Sequence, residues 1–99
     1  MALETQLAKK AVHDKLAAQL KTAGATLTSL QARAERAKAN VELKAAADLI
    51  VKKAVMQEKL LELKSAGEDR WERVRQDAEV KLADFEKSVK DLSEKIKRG

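Results

Sequence analysis

His13 is the one histidine in a chain of 99 residues that has no cysteine. A metal site on a helix pairs a histidine with a second histidine, or with carboxylates three or four residues away. Lys10 stands where a Glu-x-x-His pair would put its carboxylate, so His13 reads as a solvated residue on the edge formed by Val12 and Leu16. Glu58/Glu62 and Glu68/Glu72 are paired carboxylates at helical spacing. Acid–base catalysis needs such groups in a desolvated cleft that moves their pKa, and straight helices supply none, so these pairs read as solvated faces. Ser29, Ser65, Ser88 and Ser93 have no histidine near them in sequence, and no Gly-rich phosphate loop is present. The residues therefore predict a protein that is not an enzyme and uses no metal and no cofactor.

The elements that carry these residues are legible in the composition. Alanine is abundant, proline is absent and glycine is scarce, while Asp, Glu, Lys and Arg make up 37% of the chain. That is the composition of long helices in a single domain, and it excludes a disulfide framework or a loop-rich β fold. The stretch from Met1 to Val12 places Glu4 early and Lys9-Lys10 late, unlike a secretory signal. The longest uncharged run, Thr22 to Ala32, is far short of the ~20 apolar residues of a spanning helix. A cytoplasmic protein is the expectation.

Two places interrupt the helical pattern. Around Gly24, glycine offers a left-handed helix end and Thr28 with Gln31 matches a capping box; around Gly67, Ser65 with Glu68 matches another, followed by Asp69. These predict helices over about 2–23, 28–65 and 68–97, a coiled-coil hairpin of long antiparallel helices with a shorter N-terminal helix. The predicted segments span on the order of 33, 57 and 45 Å.

The third segment is the most regular. Trp71, Val74, Ala78, Leu82, Phe85, Val89, Leu92 and Ile96 follow steps of three and four and fall within an arc of about 80°. Asp77/Lys81, Glu86/Lys90, Asp91/Lys95 and Glu94/Arg98 are acid-before-base pairs that support such a helix. The second segment is apolar on two sides. Val41, Ala45, Leu49, Met56, Leu60 and Leu63 form one; Ala32, Ala39, Leu43, Ala47, Ile50, Ala54 and Leu61 form the other. A helix of this kind needs neighbours on both sides, as the middle of three helices or at an interface with another chain. The first segment has only the short stripe Val12, Leu16, Leu20 and Ala23, with Leu3 and Leu7 off it.

The apolar phase runs from Val41 to Ile96 at about 3.67 residues per turn, the value of an 11-residue repeat. One continuous helix through Gly67 would keep that phase. The turn is preferred because Ser65-Ala66-Gly67-Glu68-Asp69 assembles cap signals that an uninterrupted helix does not need. The stretches Ala32-Arg-Ala-Glu-Arg-Ala-Lys-Ala-Asn40 and Glu58-Lys-Leu-Leu-Glu-Leu-Lys-Ser-Ala-Gly-Glu-Asp-Arg-Trp-Glu-Arg-Val74 resemble small uncharacterised bacterial coiled-coil proteins described as apolipoprotein-like for their 11-residue repeats. The resemblance covers roughly residues 30–90 and implies a helical fold with no defined activity. That family often carries a second tryptophan one repeat after the first; Leu82 stands there in this chain.

Trp71 reads as a core anchor in the first turn of the last helix, or as the anchor of an interface. The candidate core and interface residues are thus Trp71, Val74, Leu82, Phe85, Val89, Leu92 and Ile96 with Leu49, Met56, Leu60 and Leu63, and Leu43, Ile50 and Leu61 on the second face. The net charge of +5 favours phosphate contact, but acids interleave the bases and no aromatics alternate with them, which argues against nucleic acid. So narrow a seam suits helix packing better than a lipid surface, although the 11-residue period keeps an amphipathic lipid-surface protein as the alternative. The expectation is a structural or protein-interaction coiled coil, its partner a second copy or another helical protein.

Overall fold

A computed structural model of the protein describes the backbone of residues 2–98 and the side chains of residues 6–97. The side chains of Leu3, Glu4 and Arg98 lie outside the described ones. Three helices, α1 (Ala2–Ala37), α2 (Asn40–Ser65) and α3 (Glu68–Arg98), account for nearly all of the chain. Each packs on the other two in an all-α, three-helix bundle measuring 55 × 17 × 15 Å. The long dimension is that of α1, whose 36 residues rise about 54 Å. No helix among the described residues is long and apolar enough to cross a membrane.

The first break is not at Gly24. Helix α1 runs through it and ends at Ala37, so the N-terminal helix is the longest of the three and α2 the shortest. Tertiary burial overrides the local punctuation: Leu16, Leu20, Ala23, Leu27, Leu30 and Ala34 recur in steps of four and three and are all buried, a single seam across the glycine. Thr28, expected to cap a new helix, instead donates its hydroxyl to the Gly24 carbonyl one turn back at 3.1 Å, and Thr26 does the same to Thr22 at 3.2 Å. Both are mid-helix threonine habits.

The actual turn is built on a lysine. Lys38 has φ 53°, in the left-handed region. Ala39 N–H donates to the Ala34 carbonyl at 3.0 Å, and Lys38 N–H to that of Glu35 at 3.1 Å. This pair of bonds is the Schellman helix end, usually closed by glycine. The Ala39 carbonyl then accepts the first bond of α2 from Leu43 N–H at 2.9 Å.

The second turn is where the sequence predicts it, at Ala66-Gly67, but it is capped differently. Ser65 closes α2 by donating its hydroxyl back to the carbonyls of Leu61 and Glu62, at 3.2 and 3.3 Å. Gly67 opens α3: its carbonyl accepts from Arg70 and Trp71 N–H at 3.1 and 2.8 Å. Glu68 and Asp69 occupy the positive first turn.

Short links force consecutive helices to run antiparallel. Lys52 meets Asp84 at 3.5 Å and Lys59 meets Asp77 at 2.8 Å, seven residues up one helix against seven down the other. On the other flank of α2, the stem of Lys53 crosses α1 at Gly24 so closely that a Cβ there would stand 2.8 Å from Lys53 Cε.

Candidate functional site

The α3 seam packs as its period requires. Val74, Ala78, Leu82, Phe85, Val89 and Leu92 are buried, with Trp71 and Ile96 half-buried at the two ends. Leu49, Met56, Leu60 and Leu63 of α2 face them, and Ala46, assigned to neither face by its spacing, is fully buried among them. Val41 departs from expectation: next to the Lys38 turn it leaves the seam and is 73% exposed. The second face of α2 also departs from a core reading. Ala32 belongs to α1, Leu43 is half-buried, and Ile50 and Leu61 are 40% and 66% exposed. Both neighbours of α2 sit on one side of it, α3 against the Lys52/Lys59 flank and α1 against the Lys53 flank, which leaves its far side open.

That open side carries Ile50, Val51, Val55 and Leu61, four of the seven exposed large apolar side chains among the described residues. Leu43, Ala47, Ile50, Ala54 and Leu61 recur in steps of four, three, four and seven along one stripe of α2, bordered by Val51 and Val55 at 64% and 43% exposure. Ala25 and Ala32 lie on the outer side of α1, opposite its buried seam. Those two alanines belong to a series at seven-residue intervals, Ala11, Ala18, Ala25 and Ala32, all exposed. A helix boundary at Gly24 splits this series; its even spacing was the available signal.

The polar candidates are dispersed. His13 is half-buried, with Nδ1 3.4 Å from Asp14 Oδ1. It lines an open cleft at one end of the bundle together with Lys9, Lys10, Lys64, Leu63 and Trp71. Lys9 Nζ lies 5.4 Å from the Trp71 ring centroid, a cation–π contact at the cleft mouth.

The carboxylate pairs do not form acid–base dyads. Glu62 accepts from Lys59 at 3.2 Å and from Arg70 at 3.1 Å, bridging the α2–α3 turn. Glu72 is held by Arg75, which also reaches Glu79 at 2.7 Å; the guanidinium hydrogen bonds keep the Glu72 carboxyl below the usual range. The hydrogen bond from Lys59 holds Asp77 down and raises Lys59 in turn. Of the acid-before-base pairs, Asp77–Lys81 closes at 3.7 Å, whereas Glu86–Lys90 and Asp91–Lys95 form no ion pair. Among the described residues no polar or charged side chain is buried, and no group of three metal-binding side chains gathers. Comparison with protein-family models, curated proteins and solved structures finds no match for the chain.

Proposed function

We propose that this protein is a non-catalytic helical interaction protein that works through the uncovered face of α2, in the cytoplasm and without a cofactor. One observation carries the reading: Ile50 and Leu61 are exposed on one stripe with half-buried Leu43, and Ala47 and Ala54 lie between them. Large and small residues alternating along a helix make a seam for another helix, because the small ones let a second backbone approach. Lys44 and Glu58, of opposite sign on one flank of the stripe, suit a protein surface better than an anionic membrane. The partner is a second copy of the chain.

The test is the mass in solution. Light scattering is expected to give a multiple of the 10.9 kDa chain, and Ile50→Glu to reduce it to one chain with helicity retained, since Ile50 is outside the core. A monomeric wild type, or an assembly indifferent to Ile50→Glu, removes the reading. Flotation of the wild type with anionic vesicles would replace it with the lipid-surface alternative.

A further inference from the structure

Resting on that reading, we infer that two copies pair through α2 in antiparallel orientation, on a two-fold axis close to Val51 and Lys52. The stripe has the form of coiled-coil core positions: Leu43, Ile50 and Gln57 recur at intervals of seven, and Ala47, Ala54 and Leu61 form the interleaved set. Laid antiparallel on itself with the dyad near residue 52, the stripe matches large to small at its centre. Ile50 of each copy then sits on Ala54 of the other, twice by symmetry. Leu43 and Leu61 close both ends of the seam. Ala47 faces Gln57, whose amide lies toward the rim.

Charge selects the same orientation. On the outer flank of the stripe, Lys44, Val51 and Glu58 recur at intervals of seven, and all are exposed. Neither Lys44 nor Glu58 forms an ion pair within the described chain. In the antiparallel pair Lys44 of one copy flanks Glu58 of the other on both sides of the dyad, with Val51 against its own symmetry mate. A parallel pair in register instead layers Ile50 with Ile50 and Ala54 with Ala54, large with large and small with small, and leaves Lys44 and Glu58 two heptads apart. An isologous contact needs a self-complementary patch, and the antiparallel direction is the one that pairs large with small and Lys44 with Glu58.

Charge reversal and crosslinking test the arrangement on the full chain. Lys44→Glu and Glu58→Lys are each expected to weaken self-association on the order of three- to tenfold in sedimentation, two symmetry-related pairs being lost together. The double variant Lys44→Glu/Glu58→Lys is expected to return to within about twofold of wild type, which a merely structural role for either residue would not produce. Because the chain has no cysteine, single cysteines report orientation directly. A bismaleimide should join Lys44→Cys to Glu58→Cys in a mixture, while Lys44→Cys alone stays largely unjoined. Ready joining of Lys44→Cys to itself, or a double variant no tighter than the singles, overturns the antiparallel pairing while leaving a dimer in place. A monomer at every concentration removes the broader reading instead.

Discussion

Gly24→Ala and Lys38→Gly together test where the first helix ends. If Gly24 closed a helix in the left-handed conformation, alanine there would cost about 1 kcal/mol or more. In the structure Gly24 is an interior helical residue with ordinary φ, and an alanine in its place gains about 1 kcal/mol of helix propensity. Against that gain stands Lys53, whose Cε would lie 2.8 Å from the new Cβ. The obstacle is the far end of a flexible stem, so it moves aside for a few tenths of a kcal/mol, leaving a net stabilisation of about 0.5 kcal/mol. Lys38 carries the left-handed conformation that costs a side-chain-bearing residue about 1–2 kcal/mol. Glycine removes that strain but orders a more flexible chain, for a net gain of about 0.5–1 kcal/mol. The two sites are about 21 Å apart along α1 and share no partner, so their effects should add. Urea unfolding at a fixed protein concentration is the assay, with a thermal shift of about 4–8 °C for each kcal/mol as the check. A lower urea midpoint for Gly24→Ala, or a destabilised Lys38→Gly, would show that the chain turns elsewhere and refute the argument.

Further predictions concern the core and the ion pairs. Phe85→Ala should cost about 3–5 kcal/mol, since the ring is 1% exposed in the centre of the seam, while half-buried Trp71→Ala should cost clearly less; equal losses in urea melts would contradict the burial of the two. The pKa of Asp77 is lowered by Lys59, so this pair adds stability above the ordinary Asp range and loses it as pH falls through the depressed value. Asp77→Asn should therefore flatten the acid limb of the stability–pH curve slightly, the pair being only half-buried; an unchanged limb would show that Lys59 does not engage it.

Legibility in the sequence followed the length over which a signal repeats. The α3 seam was readable because eight positions from Trp71 to Ile96 hold one phase, and all eight are buried or half-buried. The Ala66-Gly67 turn was readable because a glycine, a serine and two acids cluster there. The Lys38 turn was not, because its defining feature is a backbone conformation adopted by a residue type that does not ordinarily signal it; the Schellman bonds are made by main-chain atoms of Ala34, Glu35, Lys38 and Ala39. Gly24 misled for the converse reason: it satisfies a local rule that the run Leu16 to Ala34 overrides by burial. On α2, two apolar faces were visible in the spacing, but spacing does not say which face the chain itself covers.

Why one face stays open follows from geometry. In a three-helix bundle each helix meets two neighbours whose axes subtend only about 60° at its own, so one stripe per helix is buried and the opposite side faces outward. Helix α1 answers this with small and polar residues on its outer side, and α3 with charge, leaving Leu7 and Val80 as isolated exceptions. Helix α2 alone carries a group outward, Ile50, Val51, Val55 and Leu61, on a chain with few large apolar side chains to distribute. Singly placed, each would be ordinary surface. Ile50 and Leu61 share one stripe with Ala47 and Ala54, Val51 lies beside it between opposite charges at 44 and 58, and together these residues spend scarce apolar area where the monomer gains nothing from it. A surface composed in that way is explained by a helix that lies on it.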